Sequence, residues 1–153
     1  MTENNFSSHN TYHGLHLFNE SDRDLPLHKA DLEMLSSVIE QEENCTFLFV
    51  EVVFVDEEGI IAINKEHLKR DYVTDIISFR YDEDTSNAAI EGTLYCCAPC
   101  IAEQAKEFNQ SALKEFNRIV IHGLLHLVGY DDQSEKDTNI MRGKEDFFLN
   151  KLS

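Results

Sequence analysis

Apolar side chains recur along this chain with two different periods, and the changes of period mark out its elements. Over 27–42, Leu32, Leu35, Val38 and Ile39 fall three or four apart, which predicts an amphipathic helix. Over 47–55 the run is dense in Phe and Val and alternates imperfectly, as expected of a central strand. Asp56 stands as an N-cap before a short helix carrying Ile60, Ile61, Ile63, His67 and Leu68. Segments 74–81 (TDIISFRY) and 90–97 (IEGTLYCC) read as two more strands, separated by the polar loop 82–87. The short apolar run 15–17, followed by the turn-like Asn19-Glu20-Ser21-Asp22, reads as an edge strand. A short helix is expected over 102–109. Ser111 then caps a long helical pattern through Leu113, Phe116, Ile119, Val120 and Leu124 to about Val128, where Gly129 ends it. A last helix is expected over 135–149. Strands and helices mingle without strict alternation, so the expected class is α+β, with about four strands and about five helices.

Composition narrows this picture. The 153 residues contain no repeat and no low-complexity tract, so one domain over 13–153 is expected behind a flexible polar leader over 1–12. No apolar run approaches the roughly 20 residues of a membrane helix, and the start lacks a signal-peptide core, so a soluble, cytoplasmic protein is expected. Four cysteines, three of them clustered at Cys96, Cys97 and Cys100, fit a reducing compartment better than a disulfide scaffold. Against 13 Lys and Arg stand 29 Asp and Glu, a formal net charge of −16, which opposes tight nonspecific binding of nucleic acid.

The most informative stretch runs from His122 to Asp132. His122 and His126 lie four apart on a helix that the flanking apolar pattern already requires, so both imidazoles share a face. Gly129 lets the chain reverse, and Asp132 can then return its carboxylate toward the same point. Two imidazoles and one carboxylate leave a fourth position open for water, the layout of a catalytic zinc site. Two histidines at this spacing can also be incidental; the Gly and Asp at the right offsets favour the metal. The spacing matches the metzincin scheme, but Gly123 occupies the place of those proteases' general-base glutamate, which argues against proteolysis.

The stretch His122-Gly-Leu-Leu-His126-Leu-Val-Gly129-Tyr-Asp131-Asp132 resembles the signature H-G-x-L-H-L-x-G-Y-D-H of the YbeY family of endoribonucleases and rRNA maturation factors. Ile63-Asn64, Asp71 and Thr74-Asp75-Ile76-Ile77-Ser78-Phe79 are similar to the family's L-N…D…T-D-V-L-S-F block, and Glu91-Gly92-Thr93-Leu94 stands where the family has its G-D-I/L strand. The resemblance covers about residues 13–150. It implies a small mixed sheet with packed helices and one zinc ion per chain held by His122, His126 and Asp132. It also implies single-strand-specific endoribonuclease activity on precursor rRNA, chiefly at the small-subunit 3′ end, with roles in ribosome quality control and small-subunit components as partners. Neither a membrane nor DNA is expected as a partner.

Two departures stand out. The third metal position is usually His but is Asp132 here; carboxylate remains a zinc ligand, makes the bound water less acidic and favours a harder ion. Four residues after Asn64, where the family usually carries an arginine, this chain has Leu68, followed by Lys69 and Arg70. Segment 64–80 holds Lys65, Lys69, Arg70 and Arg80 against Glu66, Asp71 and Asp75, so these four basic residues are the expected RNA contacts on an otherwise acidic chain. His122 and His126 are the expected catalytic residues through the metal, with Asp131 or Asp75 taking a proton. A non-catalytic zinc-containing ribosome adaptor is the competing function, and a metalloprotease the third.

Other motifs point elsewhere. Cys97-Ala98-Pro99-Cys100 has redox spacing, but the strand–helix order around it is not the βαβ of thioredoxin-like proteins. His13-Gly14-Leu15-His16-Leu17 echoes the histidine run by chance, His67 belongs to a solvated helix face, and Met141 is expected in the core.

Overall fold

The structure, a computed structural model, describes residues 14–70, 72–84 and 86–152. The expected leader over 1–12 and the family-block residue Asp71 lie outside the described residues. Within them run β1 (Gly14–Asn19), α1 (Lys29–Glu43), β2 (Phe47–Val55) and α2 (Glu57–Ile63), the last continuing into a π-helical turn (Asn64–Leu68). There follow β3 (Ile76–Arg80), β4 (Ile90–Cys97), α3 (Ala98–Glu107), α4 (Ala112–Val128) and α5 (Glu135–Leu152). The expected α+β class, with four strands and five α-helices, is what the described residues form.

The sheet has the order β1-β2-β4-β3. β1 and β4 pair in parallel with β2, and β3 runs antiparallel along the outer side of β4. Alternation along β2 splits the core in two. Val50, Val52 and Phe54 face the layer of α1, α4 and α5, where they pack with Leu32, Leu35, Ile39, Leu124 and Phe148. Val53 and Val55 face the other way, onto Ile77 and Ile60 of α2. Most of these side chains are entirely removed from water, each worth ~1.5–3 kcal/mol.

Three local details differ from expectation. The helix expected over 102–109 begins at Ala98, because Pro99 occupies its first turn, where a fixed φ and a missing N–H suit the helix. Asp56 precedes α2, but its carboxylate accepts from the Asp22 N–H at 3.1 Å and ties the β1–α1 connection instead. The short helix after Asp56 widens into the π turn, closed by Lys69 in the left-handed region at φ 55°. Ser111 does cap α4, accepting from the Lys114 N–H at 3.1 Å.

Cys97 and Cys100 are joined by a disulfide across the first turn of α3, with Cys97 buried. Cys45 and Cys96 are free and buried; burial, aided by Glu40 and Glu43, pushes Cys45 up to about 11, and burial pushes Cys96 well above the usual thiol range. Both thiols are held in their unreactive protonated form. No helix among the described residues is long and apolar enough to cross a membrane.

Candidate metal centre and its cleft

α4 positions the histidines because Gly123, between them, lets the helix lie against the sheet. A Cβ at that position would fall 2.5 Å from Ile76 Cδ1 and 3.0 Å from both Leu94 methyls. The site of a metzincin's glutamate is therefore crowded by sheet side chains, and a carboxylate there would have to displace their terminal methyls. Gly129, at φ 127°, terminates α4 and donates to the carbonyls of Leu125 and His126, both at 3.1 Å. The reversal brings Asp132 back over the last turn.

Three donor atoms meet as a result. His122 Nε2 and His126 Nε2 lie 3.1 Å apart, and Asp132 Oδ2 lies 3.3 Å from each. Ligands at ~2.0–2.1 Å from a tetrahedral ion are separated by about 3.3–3.4 Å, so this near-equilateral triangle fits one face of such a coordination sphere. The donor set of two imidazoles and one carboxylate suits zinc and tolerates harder divalent ions.

What orients His122 comes from elsewhere in the chain. Glu145 on α5 takes its Nδ1 at 2.6 Å through Oε2, while Oε1 accepts from Arg118 Nη1 at 3.1 Å. Arg118 also donates to Asp146 at 2.9 Å. With Nδ1 engaged by a buried carboxylate, Nε2 is the nitrogen presented to the triangle. Burial works against the His122 imidazolium, but the Glu145 hydrogen bond and the charges of Glu145, Asp132 and Asp75 outweigh it and raise the group above its ordinary value. Met141, buried in the core as expected, borders a small recess beside His122, Asp132 and Glu145.

The C-terminal end of α4 is held from the opposite side. Arg80 donates to the Leu127 carbonyl at 2.8 Å and Asn87 Nδ2 to the Val128 carbonyl at 3.0 Å, satisfying two carbonyls that helix geometry leaves without partners. Arg80 also makes a two-pronged bond to Asp82 and single bonds to Asn87 Oδ1 and the Asp84 carbonyl. This corrects the expectation for Arg80. All five of its N–H donors are committed inside the protein, so it braces the metal helix and has none left for phosphate.

The triangle opens into a cleft of about 600 Å³ whose walls include Arg70, Tyr72, Asp75, Ser78, Asp131 and Gln133. Asn64 builds its far rim: buried, it donates from Nδ2 to the Tyr72 carbonyl at 2.8 Å, and its own carbonyl accepts from the Arg70 N–H at 3.1 Å. Leu68, in place of the family arginine, lines the cleft, and Arg70 lies on the same rim with its guanidinium 6.0 Å from the Tyr72 ring centre. Lys65 and Lys69 are exposed and do not line the cleft. Asp131 does, with one oxygen accepting from the Asp132 N–H at 2.8 Å, as does Asp75, which accepts from Gln104 at 3.3 Å. Tyr130, also in the signature, reaches away from the cleft to Glu43 at 2.7 Å, under Lys144.

Glu145, Arg118 and Asn87 were not legible as site residues from motif spacing. A signal for Glu145 does exist: Met141, Glu145, Phe148 and Leu149 form the buried stripe of α5, and a carboxylate on such a stripe calls for a partner.

Fold and site together define a small α+β protein with three donors that could hold a metal ion, set in an open cleft against an edge strand. Comparison with known proteins makes this particular. The family profile described as Endoribonuclease YbeY matches residues 18–153. A protein named Endoribonuclease YbeY from Ureaplasma urealyticum is 41% identical over 105 residues, covering 69% of this chain and 68% of that one. One of the same name from Chlorobium limicola is 35% identical over 139 residues, covering 91% and 93%. A solution structure from Thermotoga maritima shares the fold with a TM-score of 0.58 and 28% identity, over 88% of this chain and 86% of that one. The chain belongs to the YbeY endoribonuclease family.

Proposed function

We propose that this chain is a zinc-dependent, single-strand-specific endoribonuclease, with one zinc per chain, that matures precursor rRNA at the small-subunit 3′ end. We place it in the cytoplasm, working with small-subunit components and in ribosome quality control, the roles that the resemblance of its motifs implies. The observation that carries the reading is the donor triangle of His122, His126 and Asp132, with edges of 3.1, 3.3 and 3.3 Å, at the wall of an open cleft in a chain of this family.

His122, His126 and Asp132 would hold the ion. When bound, zinc supplies a Lewis acid for a scissile phosphate oxygen or for water. Glu145 keeps Nε2 of His122 turned to the ion, and Arg80 with Asn87 fixes the helix end that carries His126. Asp131, beside the triangle and facing the cleft, is the proposed proton acceptor, with Asp75 across the cleft as the alternative. Arg70 meets substrate phosphate on the rim; Lys65 and Lys69, outside the cleft, would act only on flanking RNA. Glycine in the place of a protease's glutamate, at a position crowded by Ile76 and Leu94, favours RNA over peptide as substrate.

The test separates metal, fold and activity. His122→Ala and His126→Ala should lose stoichiometric zinc and cleavage of single-stranded RNA while keeping native circular dichroism. Cleavage unchanged in folded, zinc-free variants would overturn catalysis and leave the adaptor role.

A further inference from the structure

The register of β3 leaves one edge of the sheet open beside the metal centre. Tyr81 donates its N–H to the Glu91 carbonyl at 2.8 Å, and the Asp75 carbonyl accepts from the Cys97 N–H at 2.8 Å. With Ile77 opposite Tyr95 and Phe79 opposite Thr93, the odd-numbered residues are those that exchange main-chain bonds with β4. Ile76 and Ser78 therefore direct their N–H and C=O groups away from β4, and β3 is the outermost strand. Both residues line the cleft together with His122, His126 and Asp132. Their N–H groups repeat at every second residue, about 6.8 Å apart along the strand.

The charge of the cleft gives these groups their importance. Asp75, Asp131 and Asp132 line it, the whole chain carries −16, and the donors of Arg80 are already used. A phosphodiester entering here meets few cations, whereas a main-chain N–H binds a phosphate oxygen without needing a charged side chain. An extended single strand can follow a straight sheet edge. The phosphates of a duplex wind about an axis and leave the edge after one contact.

We propose that the open edge of β3 is the track on which single-stranded RNA lies, with the N–H groups of Ile76 and Ser78 donating to phosphate oxygens of neighbouring nucleotides. The proposal rests on the RNA-cleaving reading above and adds where the strand runs and what holds it.

Proline tests it, because it removes an N–H and is tolerated on an edge strand where that N–H faces away from the ladder. Ser78→Pro and Ser78→Ala, both zinc-loaded, are compared on an unstructured fluorescent RNA oligonucleotide. Losing one bond to a charged phosphate should raise the KM of Ser78→Pro about 10- to 100-fold above that of Ser78→Ala. Equal KM values in two folded variants would overturn the edge contact. Should Ser78→Pro not fold, amide spectra of the wild-type protein decide. Titration with a non-cleavable 2′-O-methyl strand should shift the Ile76 and Ser78 amides more than those of Ile77 and Phe79; equal or absent shifts overturn the proposal. If the wild-type protein cleaves no RNA, the functional reading fails instead, a result distinguishable from either outcome.

Discussion

The two walls of the cleft are built in opposite ways. The wall carrying His122, His126 and Asp132 is a 17-residue helix packed into the main core and tied at both flanks. Glu145 and Arg118 hold the His122 side, and Arg80 and Asn87 hold the C-terminal carbonyls. The facing rim, residues 64–70 and 72–75, is a π turn and loop whose Arg70, Tyr72 and Val73 are exposed. Its main anchor is the buried Asn64. Three donors that could hold one ion must be placed to within a few tenths of an ångström, and the helix wall has the buried polar contacts such rigidity needs. The rim has fewer ties: Asn64 at one end, and at the other Asp75, bonded to the Cys97 N–H and to Gln104.

Removing the brace should have the largest effect on this contrast. Arg80→Ala strips a two-pronged pair from the mostly buried Asp82 and bares the Leu127 helix carbonyl and the Asp84 loop carbonyl, so thermal or urea unfolding should show a loss of about 3–5 kcal/mol. A loss below 1 kcal/mol would mean that the helix end does not need its clamp. Next, Glu145→Gln keeps the side-chain volume but weakens the hold on His122. Zinc affinity, measured by chelator competition, should fall roughly 10–100-fold with little change in unfolding temperature.

Asn64→Ala sharpens the contrast from the other side. Hydrogen exchange across 64–75 should accelerate as the rim loses about 1–2 kcal/mol of local stability, while zinc affinity stays within twofold. A matching loss of zinc would show that the two walls are one mechanical unit. Acid reads the brace again, more gently. Arg80 holds the Asp82 carboxyl down to about 2, against an ordinary 3.8, so the stabilisation is present above pH ~4 and is lost as pH falls toward 2. The stability of Asp82→Asn should therefore fall less steeply than that of wild type across that window, and identical slopes would sever the pair from stability. Smallest of all, Arg70→Gln should reduce the salt-dependence slope of RNA binding by about one, with zinc content unchanged.

How much of this was legible in the sequence follows from how locally each feature is determined. The triangle was readable because its parts lie within 11 residues and rest on helix period, a glycine turn and one carboxylate. The four strands were readable from their apolar density. Glu145 lies 23 residues from His122, and its role exists only because α5 crosses α4, which period alone does not fix. Arg80 was misjudged for a related reason. A basic residue beside a candidate RNA site looks free until the loop carrying Asp82, Asp84 and Asn87 folds back around it. The parallel pairing of β2 with β4, which makes β3 an open edge, is likewise a property of topology.

Gly123 carries a consequence for how such folds can diversify. Because Ile76 and Leu94 occupy the volume beside its Cα, introducing the proteolytic glutamate there displaces their terminal methyls. The Ile76 and Leu94 methyls would have to turn aside, with overpacking costing ~1–3 kcal/mol until they did. A drift from cutting RNA toward cutting peptides would thus meet a packing cost at this one residue, and would be eased by smaller side chains at Ile76 and Leu94.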